Sequence, residues 1–380
     1  MRGEPTGPRY GAELAAFATV VAATLARFGG ALVATGHPSD EAHYFAGFAR
    51  YAAGLDPYAL RDVLFPPSFG GFGALLVAVA GERGAALLLR GLSALGIAAT
   101  AWFAAAATER SLRHRLALGI GGVLLAPPFA HAVYFGNAGP IAAGLALAAL
   151  ALAPRRPLAG GALLGLSLAL KPVAAALAPL LAVRPHGKGR GPLARRGLLA
   201  AGTATALAAA LVLAAGPGLL PRFLARHAEL WRAPFQLGFV RAAAEVGVAL
   251  PTWVPFAAVI AVAALWLRRA EPGDRLFATL APAIALLAAP IVWLHTLALA
   301  LPVQLRALFG PKAFRSGLRR PLEVALRWSL AAAIWGAGGV GAIEAAPAPF
   351  RAAVAALPLV AVAVLAARCI ADDAATGPVR

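Results

Sequence analysis

Three polar positions stand where an apolar chain has least use for them. Lys171 lies in Leu168-Ala-Leu-Lys-Pro172, in the middle of an apolar run. An ammonium at that depth costs about 2.5–3.5 kcal/mol or more, and it usually faces a cavity or a partner. Pro172 removes a backbone hydrogen bond at the same point, so a kink is expected there. A snorkelling lysine is the plainer alternative, but either end of the run is far away. His295 ends Ala289-Pro-Ile-Val-Trp-Leu-His295, a proline-marked break beside Trp293. Taken alone, it reads equally as a bystander in an interfacial aromatic belt. Asp40 and Glu41 open a polar segment, His37-Pro-Ser-Asp-Glu-Ala-His-Tyr44. Tyr44, Phe48 and Tyr51 follow at helical spacing, which predicts an amphipathic helix over 41–54 lying in the membrane interface. Asp40 sits at its start, either as a cap with a solvated carboxylate or as an acid–base group. Gly54-Leu-Asp-Pro-Tyr58 reads as a turn fixed by Pro57, with Asp56 a turn residue.

Other charges lie in or near apolar runs: Glu13, Arg27, Arg90, His131, Glu323 and Arg327. Glu323 and Arg327 are spaced to pair on one helix face. The chain has no Walker lysine motif, no glycine-rich nucleotide loop after a strand and no His-Glu-x-x-His. It also lacks a serine nucleophile elbow. Asp372-Asp373 is too isolated for a sugar-nucleotide metal site. The single Cys369 excludes a disulfide framework and any multi-thiolate metal site.

These residues are carried by a chain built for lipid. Of 380 residues, 61% are hydrophobic and only 13% charged, with a mean hydropathy of +0.76. A soluble domain carries roughly 25% charged residues, so a water-exposed globule is ruled out and an all-α polytopic membrane protein is expected. The net charge of +18 reads as cytoplasmic loop anchoring, not as nucleic-acid binding. Its bases are arginines save Lys171, Lys188 and Lys312, a bias that matches a GC-rich bacterial genome and carries no functional weight. A span needs about 20 apolar residues. That ruler gives twelve runs, at about 11–35, 65–80, 84–108, 116–134, 138–153, 158–183, 197–220, 251–267, 275–289, 291–309, 322–343 and 351–370. Several are short, so ten to twelve transmembrane helices are expected, with 65–80, 138–153 and 275–289 as half-helices or re-entrant pieces. No cleavable signal peptide is expected, because the first run is too long for one.

The basic loops Arg184–Arg196, Arg268–Arg275 and Pro311–Arg320 fall on one side in an alternating count. The positive-inside rule assigns that side to the cytoplasm. Residues 36–64 and 221–250, the Pro290–His295 break and Glu344–Pro349 then face outward. Arg110, Arg113, Arg115 and the Arg155-Arg156 pair break the pattern in the first half. The whole of 1–380 reads as one integral membrane domain, with outer loops at 36–64 and 221–250 and a short disordered tail at 371–380.

The order of motifs is informative as a set. Asp40…Tyr44 precedes Gly54-x-Asp-Pro-Tyr58 and Phe65-Pro-Pro67, then Gly136-Asn137, Ala159-Gly160…Leu170-Lys-Pro172 and Pro290-Ile-Val-Trp-Leu-His295. This series, over residues 36–310, resembles glycosyltransferase family 87. That family comprises multi-span enzymes of the GT-C fold, including the polyprenol-phosphate-mannose-dependent α-mannosyltransferases of mycobacterial phosphatidylinositol mannoside synthesis. Related actinobacterial arabinofuranosyltransferases share the pattern. The chain departs from it twice. Ala289 stands where the last motif has Ser, and Phe235-Gln-Leu-Gly238, followed by Arg241, replaces an Asn-x-Ser stretch.

The resemblance implies a hexosyltransferase of the cell envelope, in the bacterial cytoplasmic membrane with its site on the outer face. It implies a polyprenyl-phosphate sugar donor, with mannose the first choice, and a lipid or glycan acceptor. The family's loop acid falls on Asp40, its Lys-Pro lysine on Lys171 and its histidine on His295. The chemistry suits these types. A glycosyl phosphate carries its own leaving group, so no cofactor or metal is called for. One carboxylate must take the acceptor's proton, which gives Asp40 as general base with inversion at the anomeric carbon. Cations must meet the departing phosphate, which gives Lys171 and His295. Glu41, Tyr44, Asp56, Tyr58, Asn137, Trp293, Gln236 and Arg241 are the further substrate-contact candidates. A transporter or flippase of a lipid or anionic solute is the alternative, since a buried lysine and a broken helix suit it too. A long first loop bearing Asp40 favours the transferase. Sugar, acceptor, linkage and oligomeric state are not legible.

Overall fold

The computed structural model describes residues 7–108, 111–183, 190–229, 237–270, 272–289, 292–310, 321–335 and 346–374. Among them the chain is all helix, with no strand beyond one bridge between Leu237 and Val292. In chain order the α-helices are α1 (Gly7–Leu32), α2 (Ser39–Ala52), α3 (Pro67–Thr108), α4 (Leu112–Leu125), α5 (Pro127–Phe135), α6 (Gly139–Leu152), α7 (Pro157–Leu170) and α8 (Leu177–Val183). They continue as α9 (Arg190–Ala214), α10 (Leu219–Glu229), α11 (Phe239–Glu245), α12 (Trp253–Ala270), α13 (Asp274–Ala288), α14 (Leu301–Phe309), α15 (Pro321–Trp335) and α16 (Ala348–Ala374). Short 3-10 helices occupy Pro57–Ala59, Pro172–Ala174 and Leu294–Ala300.

The protein is a polytopic, all-α membrane protein. Tyr10–Leu32, α3, Arg195–Ala214, α12 and α16 are each long and apolar enough to cross a bilayer, and α4 with α5 makes a sixth such unit if the bent pair is taken together. Exposed leucines on these helices, such as Leu14, Leu75, Leu198 and Leu265, are the surface that lipid covers.

Several expected spans are broken, each for a local reason. The 65–80 and 84–108 runs lie in α3 but part at Gly81, whose φ of 68° and ψ of 169° suit glycine alone. The expected 116–134 span is two helices bent by 51°, because Pro127 starts α5 afresh at its first turn. The expected 158–183 helix is not merely kinked. It ends at Leu170, Lys171 is extended at φ −160° and ψ 113°, and a 3-10 turn leads into α8. Pro172 disfavours the helical conformation at the residue before it. The 291–309 run becomes a 3-10 helix followed by α14.

Small residues bring backbones together where the site forms. On α3, a Cβ at Gly96 would lie 2.5 Å from the Pro140 carbonyl, and one at Gly144 of α6 would lie 2.8 Å from the Gly96 carbonyl. Such contact between backbones is the packing mode open to helices in lipid. α6 and α7 run antiparallel as a hairpin, so the start of α6 and the end of α7 share one end of the bundle. Ser68 Oγ donates to the Ala169 carbonyl at 2.5 Å and fastens the first turn of α3 to that end.

The expected interfacial helix is α2, two residues earlier than its predicted start. It seats Phe45 and Phe48 in an aromatic cluster with Phe65, Phe69 and Tyr58. The Phe48 ring sits 5.3 Å from Phe65 and 5.4 Å from Phe69, centroid to centroid, and occupies the space a side chain at Gly73 would need. At the other end of the chain the expected disordered tail is helical as far as Ala374. Asp372 accepts from Arg327 at 2.9 Å and Asp373 from Arg306 at 2.9 Å. Arg327 also pairs with Glu323 at 2.7 Å, as their spacing predicted.

Candidate functional site

Four of the singled-out side chains meet at one end of the bundle. Asn137 Nδ2 donates to Asp40 Oδ2 at 2.6 Å. Lys171 Nζ donates to Asn137 Oδ1 at 2.9 Å and to His295 Nε2 at 2.7 Å. The Gly139 amide donates to Asn137 Oδ1 at 2.7 Å, which fixes the amide's orientation. A carboxylate, an amide, an ammonium and an imidazole thus form one continuous chain of hydrogen bonds. Because an ammonium has no acceptor, His295 Nε2 must accept, and the ring proton sits on Nδ1.

Local structure presents each member. α5 ends at Gly136 in the left-handed conformation, φ 66°, and the Asn137 amide bonds back to the Ala132 carbonyl at 2.8 Å. That turn releases Asn137 from the helix just before α6 starts. Lys171 is released in the same way by Pro172. His295 rides the 3-10 helix Leu294–Ala300, whose first turn is capped by Thr296 on Trp293. A Cβ at Gly139 would lie 2.7 Å from His295 Cδ2 and 2.9 Å from Asn137 Oδ1, so the glycine makes the room the two side chains use.

Asp40 lies in the first turn of α2 but makes no capping bond to it. Its carboxylate serves Asn137 instead, and Oδ1 is bonded to no described residue. Lys171 likewise keeps one N–H beyond the two it gives to Asn137 and His295. The site therefore offers a base oxygen and a cationic donor to a ligand at the same time. The Tyr44 hydroxyl receives the Ala138 amide at 3.4 Å beside them. Burial in the aromatic cluster, and then the Asp40 carboxylate, push that phenol above its ordinary value, so it stays protonated.

Other expected contacts have structural employment. Glu41 is buried at 2% exposure and accepts from Arg90 at 3.0 and 2.8 Å. The same guanidinium donates to the carbonyls of Ala34 at 2.6 Å and Gly36 at 2.5 Å. Arg90 thereby ties the chain leaving α1 to α2, a pairing with no trace in the sequence. Glu41 is thus an ion-pair partner of Arg90, and it also lines the cavity beside Asn137. Asp56 caps the Pro57–Ala59 turn through the Tyr58 amide at 3.0 Å and pairs with Arg222 at 2.6 Å, while Tyr58 donates its hydroxyl to the Phe65 carbonyl at 3.0 Å. Both hold the turn, as read for Asp56. Arg241 pairs with Glu245 on its own helix. Trp293 flanks His295, and the Leu237 amide, within the second loop, donates to the Val292 carbonyl at 2.8 Å. Gln236 lies outside the described residues.

Two neighbours were not marked as site residues beforehand. His131 on α5 lies with its ring 6.1 Å from that of His295. A cavity beside Asn137 is lined by Leu32, Pro38, Tyr44, Arg90 and Ser93 among others. No family model, curated protein or solved structure matches the chain.

Proposed function

We propose that the protein is a membrane glycosyltransferase of the GT-C type, with ten to twelve crossings. It moves a sugar, mannose first, from a polyprenyl phosphate to a lipid or glycan acceptor at the outer face of the cytoplasmic membrane. The observation that carries this reading is the Asp40–Asn137–Lys171–His295 chain, which joins a carboxylate to an ammonium at the edge of an apolar bundle. Asp40 Oδ1 takes the acceptor hydroxyl's proton while that oxygen bonds to the anomeric carbon from the face opposite the phosphate. The bond from carbon to phosphate oxygen breaks, and its electron pair stays with the lipid phosphate. Lys171 meets that charge with its remaining N–H. Asn137 keeps base and cation in register, so the acceptor oxygen and the leaving group are held on one line.

The breaks at Lys171 and before His295 also suit a transporter of an anionic lipid. One incubation separates the two. Purified protein receives a radiolabelled polyprenyl-phosphate sugar with a membrane lipid extract. The transferase reading expects label in a new lipid and free polyprenyl phosphate. An intact donor in every fraction contradicts it.

A further inference from the structure

α5 packs against both α2, which bears Asp40, and the 3-10 helix that bears His295. It carries His131 into the gap between them. The His131 ring lies 6.1 Å from the His295 ring with planes 24° apart, and 4.4 Å from Phe135 on its own helix. Its Nδ1 is buried without a hydrogen-bond partner, and neither ring nitrogen bonds to any described residue. A buried polar atom left unpaired is destabilising, and no described residue offsets it here.

His295 cannot fill the role of second phosphate donor through Nε2, since that nitrogen already accepts from Lys171. His131 and Lys171 both border His295, the His131 ring 6.1 Å from its ring and Lys171 Nζ 2.7 Å from its Nε2, so a phosphate seated beside His295 is within reach of both. We infer that His131 is a direct ligand of the donor's phosphate, sharing it with Lys171, while His295 is the positioning residue that holds Lys171. This rests on the lipid-phosphate reading above and reassigns which imidazole touches the phosphate.

The test is a titration of the purified protein with polyprenyl phosphate, with the uncharged polyprenol as control. His131→Phe keeps an aromatic ring against His295 and Phe135 but has no donor. His131→Gln keeps a donor. Charge-assisted hydrogen bonds contribute about 1.5–3 kcal/mol, so His131→Phe is expected to weaken polyprenyl phosphate binding by about ten- to a hundredfold. His131→Gln is expected to recover most of that loss, and polyprenol binding to stay unchanged in both. Unchanged phosphate affinity in His131→Phe, with a loss in Lys171→Ala, overturns the inference and leaves the lipid-phosphate reading standing. Unchanged affinity in both variants removes that reading as well. A fall in transfer without a fall in phosphate affinity also overturns it. Thermal unfolding checks each variant, and if His131→Phe fails that check, His131→Leu is read against His131→Gln in its place.

Discussion

Lys171 Nζ lies 2.7 Å from His295 Nε2, although 124 positions separate the two residues. Neither side chain has that partner by local structure. The contact exists because Pro172 ends one helix and a 3-10 turn starts beyond the other break, and because Gly139 leaves the imidazole its place.

Gly139→Ala tests that dependence. Its new methyl would stand 2.7 Å from His295 Cδ2 and 2.9 Å from Asn137 Oδ1, so one of them must move. Displacement of about 1 Å in a site of this kind costs on the order of a hundredfold in rate. The variant is expected to insert normally and to lose at least tenfold in transfer. Wild-type turnover in Gly139→Ala shows that the site tolerates movement of His295 and Asn137.

The Arg90–Glu41 pair is predicted to act on stability. Removing one partner of a buried ion pair costs about 3–5 kcal/mol, whereas replacing both with apolar residues is often neutral. Arg90→Met is therefore expected to lower the thermal midpoint steeply, and Arg90→Met with Glu41→Leu to restore most of it. Equal midpoints for Arg90→Met and the wild type contradict a holding role.

Much of this was written in short-range signals, and the rest was not. The spacing of Tyr44, Phe48 and Tyr51 gave α2 to within two residues, and Leu-Lys-Pro marked the place where a helix fails. Whether it kinks or stops there depends on what receives the freed chain, which is tertiary. Pro127-Pro128 carried the signal for a separate α5, yet an unbroken apolar run hid it. The partner of Glu41 lies 49 positions away and those of Asp372 and Asp373 lie 45 and 67 away. No periodicity reports such pairs, so the Arg90 pairing of Glu41 went unread and the tail read as loose. His131 looked like one of several stray charges until α5 was placed between α2 and His295.

His227 on α10 predicts a pH dependence outside the spans. Burial, and then the positive charge of Lys171, push its imidazole down to about 4, and its ring rests 4.2 Å from that of Phe223. The unfolded chain binds the proton at about 6.5 and the folded one does not. Stability is therefore full above about pH 6.5 and is lost as pH falls toward 4. The thermal midpoint should drop across that window, and His227→Gln should flatten the drop. The same slope in the variant places the titrating group elsewhere.

The positive-inside rule gives a prediction of sidedness. Ser39 and Gly273 are both exposed, and the proposed mechanism needs Ser39 outside and the Arg268–Arg275 loop within. With the buried Cys369 replaced first, a cysteine at Ser39 should react with a membrane-impermeant reagent on intact cells, and one at Gly273 should not. The opposite pattern puts Asp40 in the cytoplasm and removes the outer-face site.

Asp40 decides the account. Its Oδ2 is held by Asn137 and its Oδ1 is bonded to no described residue, the oxygen that the proposed mechanism uses as base. Replacing the base by an amide of the same shape should leave insertion and polyprenyl phosphate binding intact. Loss of a general base costs about 10²–10⁴-fold. The measurement is the rate of sugar transfer from a radiolabelled polyprenyl-phosphate sugar to lipid acceptor by wild type and Asp40→Asn, side by side at equal protein. The account predicts transfer by the wild type and a fall of at least a hundredfold in the variant. No transfer by the wild type, or near-equal rates in the two, contradicts it.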